Sequence, residues 1–219
     1  MYFVISYLCR KIMCKFTTNL FLISLFSLLC VSLNAQNWDF NLLKQINDSN
    51  PFMRGYSAAI SRSAYATVVA VPVVMGTTAL IRKDDELLKN TIYVGASLAV
   101  NTGLTYALKY TTNRVRPYDK YPGILDVPYP ESSLSFPSGH TSIAFATATS
   151  LTLKYPKWYV AAPSYFWACS MGYSRMNLGV HYPTDVLAGA VLGAGSAYVT
   201  YLVNNWFWKK KENKSIIWY

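Results

Sequence analysis

Charge is scarce in this chain. Asp, Glu, Lys and Arg make up 14% of its 219 residues, against about 25% in ordinary soluble domains. That deficit, with a hydrophobic content of 53%, disfavours disorder, coiled coils and surface-rich soluble folds. Acidic residues are the scarcer half: ten against twenty Lys plus Arg leave a formal charge of +10. Such a balance suits a nucleic acid, a membrane face or an anionic substrate, and the placement of the cations must decide. Cysteine is nearly missing as well. Three of the four cysteines, Cys9, Cys14 and Cys30, lie in the first 35 residues, so a chain processed there keeps only Cys169. An intramolecular disulfide, a Cys-based metal site and a redox pair are then excluded, and Cys169 is expected to be a small buried apolar residue. Histidine is limited to His140 and His181.

What the chain has in abundance is long uncharged stretches. Arg10, Lys11 and Lys15 precede an apolar run from Phe16 to Leu33, and Leu33-Asn34-Ala35 supplies short residues ahead of Gln36. That is the pattern of a secretory signal over residues 1–35, with cleavage after Ala35. The competing reading is an uncleaved anchor forming a first membrane span. In both, the chain that follows starts outside. Ser63–Ile81, Asn90–Leu108, Ser132–Leu153, Trp158–Ser174 and Val186–Trp208 contain no Asp, Glu, Lys or Arg. Each is about the 17 to 25 residues that a helix needs to cross hydrocarbon. The expected fold is an all-α, polytopic membrane bundle over residues 36–208, with about five spans after the leader, six if it is retained, and a basic cytoplasmic tail at 209–219. Gly189 and Gly193 form a small-xxx-small contact in the last span, expected to serve internal packing.

A soluble bundle of buried helices is the alternative, and the helix ends test it. With the mature N-terminus outside, the first, third and fifth spans run inward to Arg82-Lys83, Lys154 with Lys157, and Lys209-Lys210-Lys211. These are positive-inside segments, with Trp158, Trp206 and Trp208 at the interface. Asp84, Asp85 and Glu86, among Arg82, Lys83 and Lys89, read as a solvated turn rather than a metal cluster. Nucleic acid is therefore not an expected partner, and membrane lipids are.

The outward connections, 109–138 and 175–185, hold cations that this rule does not explain: Lys109, Arg114, Arg116, Lys120 and Arg175. Both histidines lie on the same side, at helix mouths. In Leu134-Ser-Phe-Pro137-Ser138-Gly139-His140, Ser138 can cap a helix and Gly139 lets backbone approach a ligand, while the exposed amides of that helix end suit an anion. Pro183 suits a first helical turn, leaving His181 just before it and Asp185 within it. A carboxylate so placed can accept from one imidazole nitrogen and leave the other free to attack. Lys109, Arg116 and Arg175 around helix amides describe a seat for a dianionic phosphoryl group. Arg114 and Lys120 read as solvated loop cations or steering charges. The Tyr and Pro residues of 118–130 read as a substrate rim or an interfacial loop, and Asn113 has no arguable role.

Lys109-x6-Arg116-Pro117, Pro137-Ser138-Gly139-His140 and Ser174-Arg175-x5-His181-x3-Asp185 together resemble the three-part signature of the type 2 phosphatidic acid phosphatase family, which includes bacterial acid phosphatases and vanadium haloperoxidases. The resemblance implies that Lys109, Arg116 and Arg175 bind phosphate and that Ser138 and Gly139 add hydrogen bonds. It also implies that His140 protonates the leaving alkoxide, that His181 is the nucleophile and that Asp185 orients it. It implies no metal or other cofactor and no obligate protein partner. The expected activity is hydrolysis of a lipid phosphomonoester or pyrophosphate: phosphatidic acid, phosphatidylglycerol phosphate, a polyprenyl diphosphate or a lipid A-type phosphate. A bacterial inner membrane with the site facing the periplasm is expected by the same resemblance. A soluble periplasmic acid phosphatase, a lipid phosphotransferase and a non-enzymatic transporter or scaffold are the rival readings.

Overall fold

The computed structural model of the chain describes residues 38–216 apart from 48, with side chains as far as Trp208. The expected leader, 1–35, and the side chains of the basic tail, 209–219, lie outside the described residues. The chain divides into two units, Met1–Asn41 and Leu42–Tyr219. Of the first, only the opening of helix α1 (38–46) is described. The second holds α2 (Pro51–Arg82), α3 (Asp85–Thr112), α4 (Pro117–Lys120), α5 (Gly139–Lys154), α6 (Trp158–Asn177) and α7 (Pro183–Ile216). No strand occurs among the described residues, so the all-α expectation holds.

Local chemistry sets the helix ends. Asn50 caps α2 by accepting from the Phe52 amide at 3.0 Å, with Pro51 in the first turn. Asp84 caps α3 through the Leu87 amide at 2.9 Å, which gives the acidic turn a structural task. Asn113, to which the sequence assigned nothing, ends α3 in the left-handed region at φ 47°, a conformation that Asn tolerates better than most residues. Pro183 opens α7 as expected.

α5 is the central helix, packed against α7, α6, α3 and α2. Its contacts are made by small residues. A Cβ on Gly193 would lie 2.1 Å from the Ser142 carbonyl oxygen, and one on Gly189 would lie 2.7 Å from that of Ser138. The glycine pair thus brings α7 onto α5 within the chain. Fully buried Ala144, Ala146 and Ala148 face Ala64, Ala168, Met171 and Tyr93. Hydroxyls join the helices: Ser142 donates to Asn101 Oδ1 at 2.6 Å and Ser150 to Ser97 at 2.8 Å. Close backbones and interhelical hydroxyl bonds are how helices associate where no hydrophobic drive separates them from their surroundings.

Many large apolar residues lie outside. Val69, Val73, Leu80 and Ile81 on α2, and Leu187, Val191, Val203 and Phe207 on α7, are exposed. A water-soluble fold buries such side chains and rarely leaves contiguous apolar faces open. α2 and the Pro183–Trp208 part of α7 are each long and apolar enough to cross a membrane. Cys169 corrects the expectation of burial: it is exposed. It lies on the outer face of α6 while its neighbours Ala168 and Ser170 turn inward, and a lipid-facing surface welcomes a small apolar thiol as readily as a core does.

The third uncharged run also differs from expectation. Ser132–Ser138 is loop, and α5 has 16 residues, about 24 Å at 1.5 Å per residue. Pro137 and the turn before Gly139 stop the helix from starting earlier. The opposite end of the bundle is marked by Lys154, whose ammonium lies over the Tyr93 and Tyr201 rings at 5.1 and 5.3 Å, and by Lys89 over Trp208 at 4.9 Å. The start of α3 and the ends of α5 and α7 therefore meet there, and the other ends of these helices meet at the opposite mouth.

Candidate active site

The opposite mouth gathers the residues singled out in the sequence. Lys109 comes from the last turn of α3, Arg116 from the turn into α4, His140 from the first turn of α5, Arg175 from the last turn of α6, and Asp185 from the first turn of α7. His181 sits in the short α6–α7 connection. That connection needs Gly179, at φ 70°, where an added Cβ would lie 3.0 Å from Val127 Cγ2, so a side chain would be strained and crowded. Lys109, Arg116, Gly139, His140 and His181 line one cavity of about 110 Å³.

His181 is 1% exposed. Its Nε2 lies 3.4 Å from Arg116 Nη1, and its Nδ1 lies 3.6 Å from Asp185 Oδ2, just beyond hydrogen-bond length. With a guanidinium donor beside Nε2, the ring proton belongs on Nδ1, facing the carboxylate, and the Nε2 lone pair faces Arg116 in the cavity that His181 lines. Burial first, and then the fields of Arg116, Arg175 and Lys109, lower its pKa well below the ordinary imidazole value, so the ring is neutral near pH 7.

Asp185 is held from several sides. Its Oδ1 accepts from Arg114 Nη1 at 2.5 Å, and its Oδ2 accepts from the Ser135 hydroxyl at 2.5 Å and the Tyr182 amide at 3.0 Å. Arg114 also donates to the Thr184 hydroxyl at 2.7 Å and stacks 4.1 Å from the Tyr182 ring centroid. This corrects the reading of Arg114 as a solvated cation: it is the ion-pair partner of a fully buried carboxylate. The pairing offsets the large desolvation cost of that charge. Ser135 was not singled out either.

The arginines are anchored differently. Arg116, 2% exposed, donates from Nε to the Ser133 carbonyl at 2.5 Å and from Nη1 to the Val180 carbonyl at 2.8 Å. Its Nη2 donates to Glu131 Oε2 at 2.7 Å and the Ser133 hydroxyl at 2.8 Å. Arg175 donates to the Ser61 hydroxyl and, from Nη2, to Glu131 Oε1. Its buried Nε has no hydrogen-bond partner among the described residues. Lys109 donates to the Leu134 carbonyl.

Glu131 is the site residue that sequence reasoning missed. One carboxylate spans the two arginines expected to hold phosphate, in the manner of two oxygens of one anion. Burial pushes its pKa up, but Arg175 and Arg116 outweigh burial and bring it down to about 2, so it is charged at every ordinary pH. The loop that carries it is tied down. Tyr118 donates its hydroxyl proton to the Glu131 carbonyl at 2.6 Å and accepts from the Glu131 amide at 3.0 Å. Asn47 brackets Asp126, donating to its carbonyl at 3.0 Å and accepting from its amide at 2.9 Å.

Two expected residues have other surroundings. Ser138 is fully buried and does not line the cavity. Its hydroxyl pairs with that of Thr141 at 2.9 Å instead of capping α5, and its amide donates to the Asp185 carbonyl at 3.0 Å. Gly139 lines the cavity, yet a Cβ there would meet only Thr105 Cγ2, at 3.8 Å. Lys120 lies over the ring of its neighbour Tyr121 at 5.5 Å, with no place in the cavity. His140 packs edge-on to Tyr65, ring centroids 5.0 Å apart.

Two histidines and three cations thus converge at one mouth of a helical bundle. Residues 90–209 match the model of the PAP2 superfamily, more than half of the chain, and the chain belongs to that superfamily. It is 33% identical over 119 residues to an undecaprenyl-diphosphatase of Sulfolobus acidocaldarius, covering 52% of this chain and 57% of that protein. It is 30% identical over 101 residues to a lipid A 4'-phosphatase of Bacteroides thetaiotaomicron, covering 44% and 45%. The matches therefore span about half the length of these curated relatives. A crystal structure of a transmembrane PAP2-type phosphatidylglycerolphosphate phosphatase from Bacillus subtilis superposes with a TM-score of 0.66 at 26% identity, covering 86% of this chain and 95% of that one.

Proposed function

We propose that the chain is a membrane lipid phosphatase that hydrolyses a phosphomonoester or pyrophosphate of a lipid through a phosphohistidine on His181, without a metal. The observation that carries this reading is the Arg116–Glu131–Arg175 bridge beside a neutral His181: two guanidinium forks already grip a divided anion next to an imidazole lone pair. A substrate phosphate takes the donors that Glu131 holds in the free site. Lys109 and the unpartnered Arg175 Nε supply further positive charge to its equatorial oxygens. His181 Nε2 attacks phosphorus, Nδ1–H is held toward Asp185, and His140 gives its proton to the leaving oxygen. Water then cleaves the nitrogen–phosphorus bond. Catalytic hydrogen bonds are often long in a free site and tighten on binding, which accommodates the 3.6 Å between His181 Nδ1 and Asp185.

The membrane reading rests on the outward display of large apolar residues, the small-residue interior and the two long apolar helices. The five uncharged runs correspond to α2, α3, α5, α6 and α7, with short α5 enclosed by the others. Cations at the Lys89–Lys154 end and the phosphate seat at the other support an outer, periplasmic position for the site in a bacterial inner membrane.

The test is orthophosphate release by the purified full chain in detergent from phosphatidic acid, phosphatidylglycerol phosphate, farnesyl diphosphate and a lipid A-type phosphate, with excess chelator. Release that persists under chelation is expected, and release that stops with chelator overturns the metal-free route. The pH profile adds a second check. His181 must be neutral and His140 protonated, so kcat/KM, corrected for ionisation of the substrate, is expected to be bell-shaped. The acid limb lies below the ordinary imidazole value of about 6.5, because the His181 pKa is depressed and the ring stays unprotonated as the pH falls through that value. An acid limb at or above it would remove His181 from the role of buried nucleophile.

A further inference from the structure

The inner cavity opens into a larger groove of about 700 Å³, walled by α2 and the loop before α5. His140, Glu131 and Tyr65 line both spaces, His181 lines only the inner one, and Arg62 and Tyr129 line only the groove. In-line displacement sets nucleophile and leaving oxygen on opposite sides of phosphorus. With phosphorus seated between Arg116 and Arg175, a groove that meets the cavity at His140 and away from His181 receives the leaving group.

Arg62 stands in that groove with an uncommitted charge. Arg54, Arg114, Arg116 and Arg175 each hold a carboxylate. Arg62 does not: its contact among the described residues is with the Tyr129 ring, 5.2 Å from guanidinium carbon to centroid. Stacking on an aromatic face steadies a guanidinium and leaves its in-plane N–H donors free for an anion. Arg62 is also the last charge before the uncharged stretch Ser63–Ile81, which sets it at head-group depth in the membrane reading. A cation there does nothing for a leaving group that departs as a neutral lipid alcohol.

We infer that Arg62, steadied on Tyr129, is a specificity-determining residue that binds an anionic group carried by the leaving group, so that the site takes lipid diphosphates in preference to lipid phosphomonoesters whose leaving alcohol is neutral. This rests on the phosphatase reading above. A bond forms between His181 Nε2 and the terminal phosphorus, and the bond from that phosphorus to the bridging oxygen breaks. The bridging oxygen leaves on the lipid monophosphate, whose charge Arg62 holds and to which His140 can pass its proton. Water then splits the phosphohistidine and releases orthophosphate.

The experiment compares kcat/KM of the full chain in detergent on farnesyl diphosphate and on phosphatidic acid, for the wild type, Arg62→Ala, Arg62→Lys and Tyr129→Leu. Loss of one charge-assisted contact is expected to lower the diphosphate value by about tenfold to a hundredfold in Arg62→Ala, with the phosphatidic acid value changed less than about threefold. Arg62→Lys restores part of the loss, and Tyr129→Leu shows a smaller loss on the diphosphate alone. Equal losses on both substrates, no loss on either, or a wild type that prefers the monoester overturns the inference while leaving the phosphatase reading intact. A folded wild type that releases phosphate from neither substrate overturns the phosphatase reading, and this inference with it. If Arg62→Ala does not fold, the lysine and Tyr129 variants decide by the same comparison.

Discussion

Substituting alanine for His181 is expected to reduce orthophosphate release from every lipid phosphate by at least about 10⁴-fold, the scale seen when a nucleophile triad loses a member. The other nitrogens described in the cavity are poor candidates for the attack: Arg116 and Lys109 are cations committed to Glu131, Ser133, Val180 and Leu134, the Asn101 amide is not nucleophilic, and His140 stands where the cavity meets the groove. The loss should be the same for good and poor leaving groups, because the missing bond is the one to phosphorus. His181 is buried, so the alanine variant must be shown to elute as the wild type does in detergent. Orthovanadate, a five-coordinate phosphorus mimic, gives a further control in the wild type, where it should inhibit. A folded variant that retains more than about one part in a hundred of the activity would mean that water or another group attacks directly, and the phosphohistidine would be lost as an intermediate.

Several parts of this site were legible in the sequence because they are local. Pro137-Ser138-Gly139 and Pro183 mark helix starts by backbone chemistry, and those starts set His140 and Asp185 one residue or one turn into their helices. The four-residue spacing of His181 and Asp185 could be judged without knowing what packs around them. The convergence of Lys109, Arg116 and Arg175 followed from the alternation of helix ends. Other features depend on how a loop folds back, and no periodicity encodes that. Glu131 reaches both arginines only because Tyr118 and Asn47 fasten the 121–138 connection to α4 and to the segment after α1. Arg114 reads as one more loop cation until α7 brings Asp185 to it across 71 positions. Cys169 and the start of α5 failed for a different reason: a run without charge does not tell a face turned inward from one turned to lipid, nor a helix from an extended lead-in.

His140→Ala separates the two histidines by the substrate each affects. A general acid contributes about 10² to 10⁴ in rate, and only where the leaving oxygen needs a proton. Hydrolysis of phosphatidic acid, whose leaving group is a strongly basic alkoxide, is therefore expected to fall by that amount. Hydrolysis of p-nitrophenyl phosphate, whose phenolate departs unprotonated, should fall less than about tenfold by the same reasoning. A lipid diphosphate belongs with the aryl ester, since the departing phosphate has a pKa of about 6 and needs little help near neutrality. The Tyr65 ring that packs edge-on to His140 holds the imidazole at the junction of cavity and groove, so Tyr65→Leu should reproduce the leaving-group dependence in weaker form. A drop of equal size on the aryl and alkyl substrates would show that His140 acts on the phosphoryl group itself, and the leaving-group side of the site would then have to be sought away from the Arg62 groove.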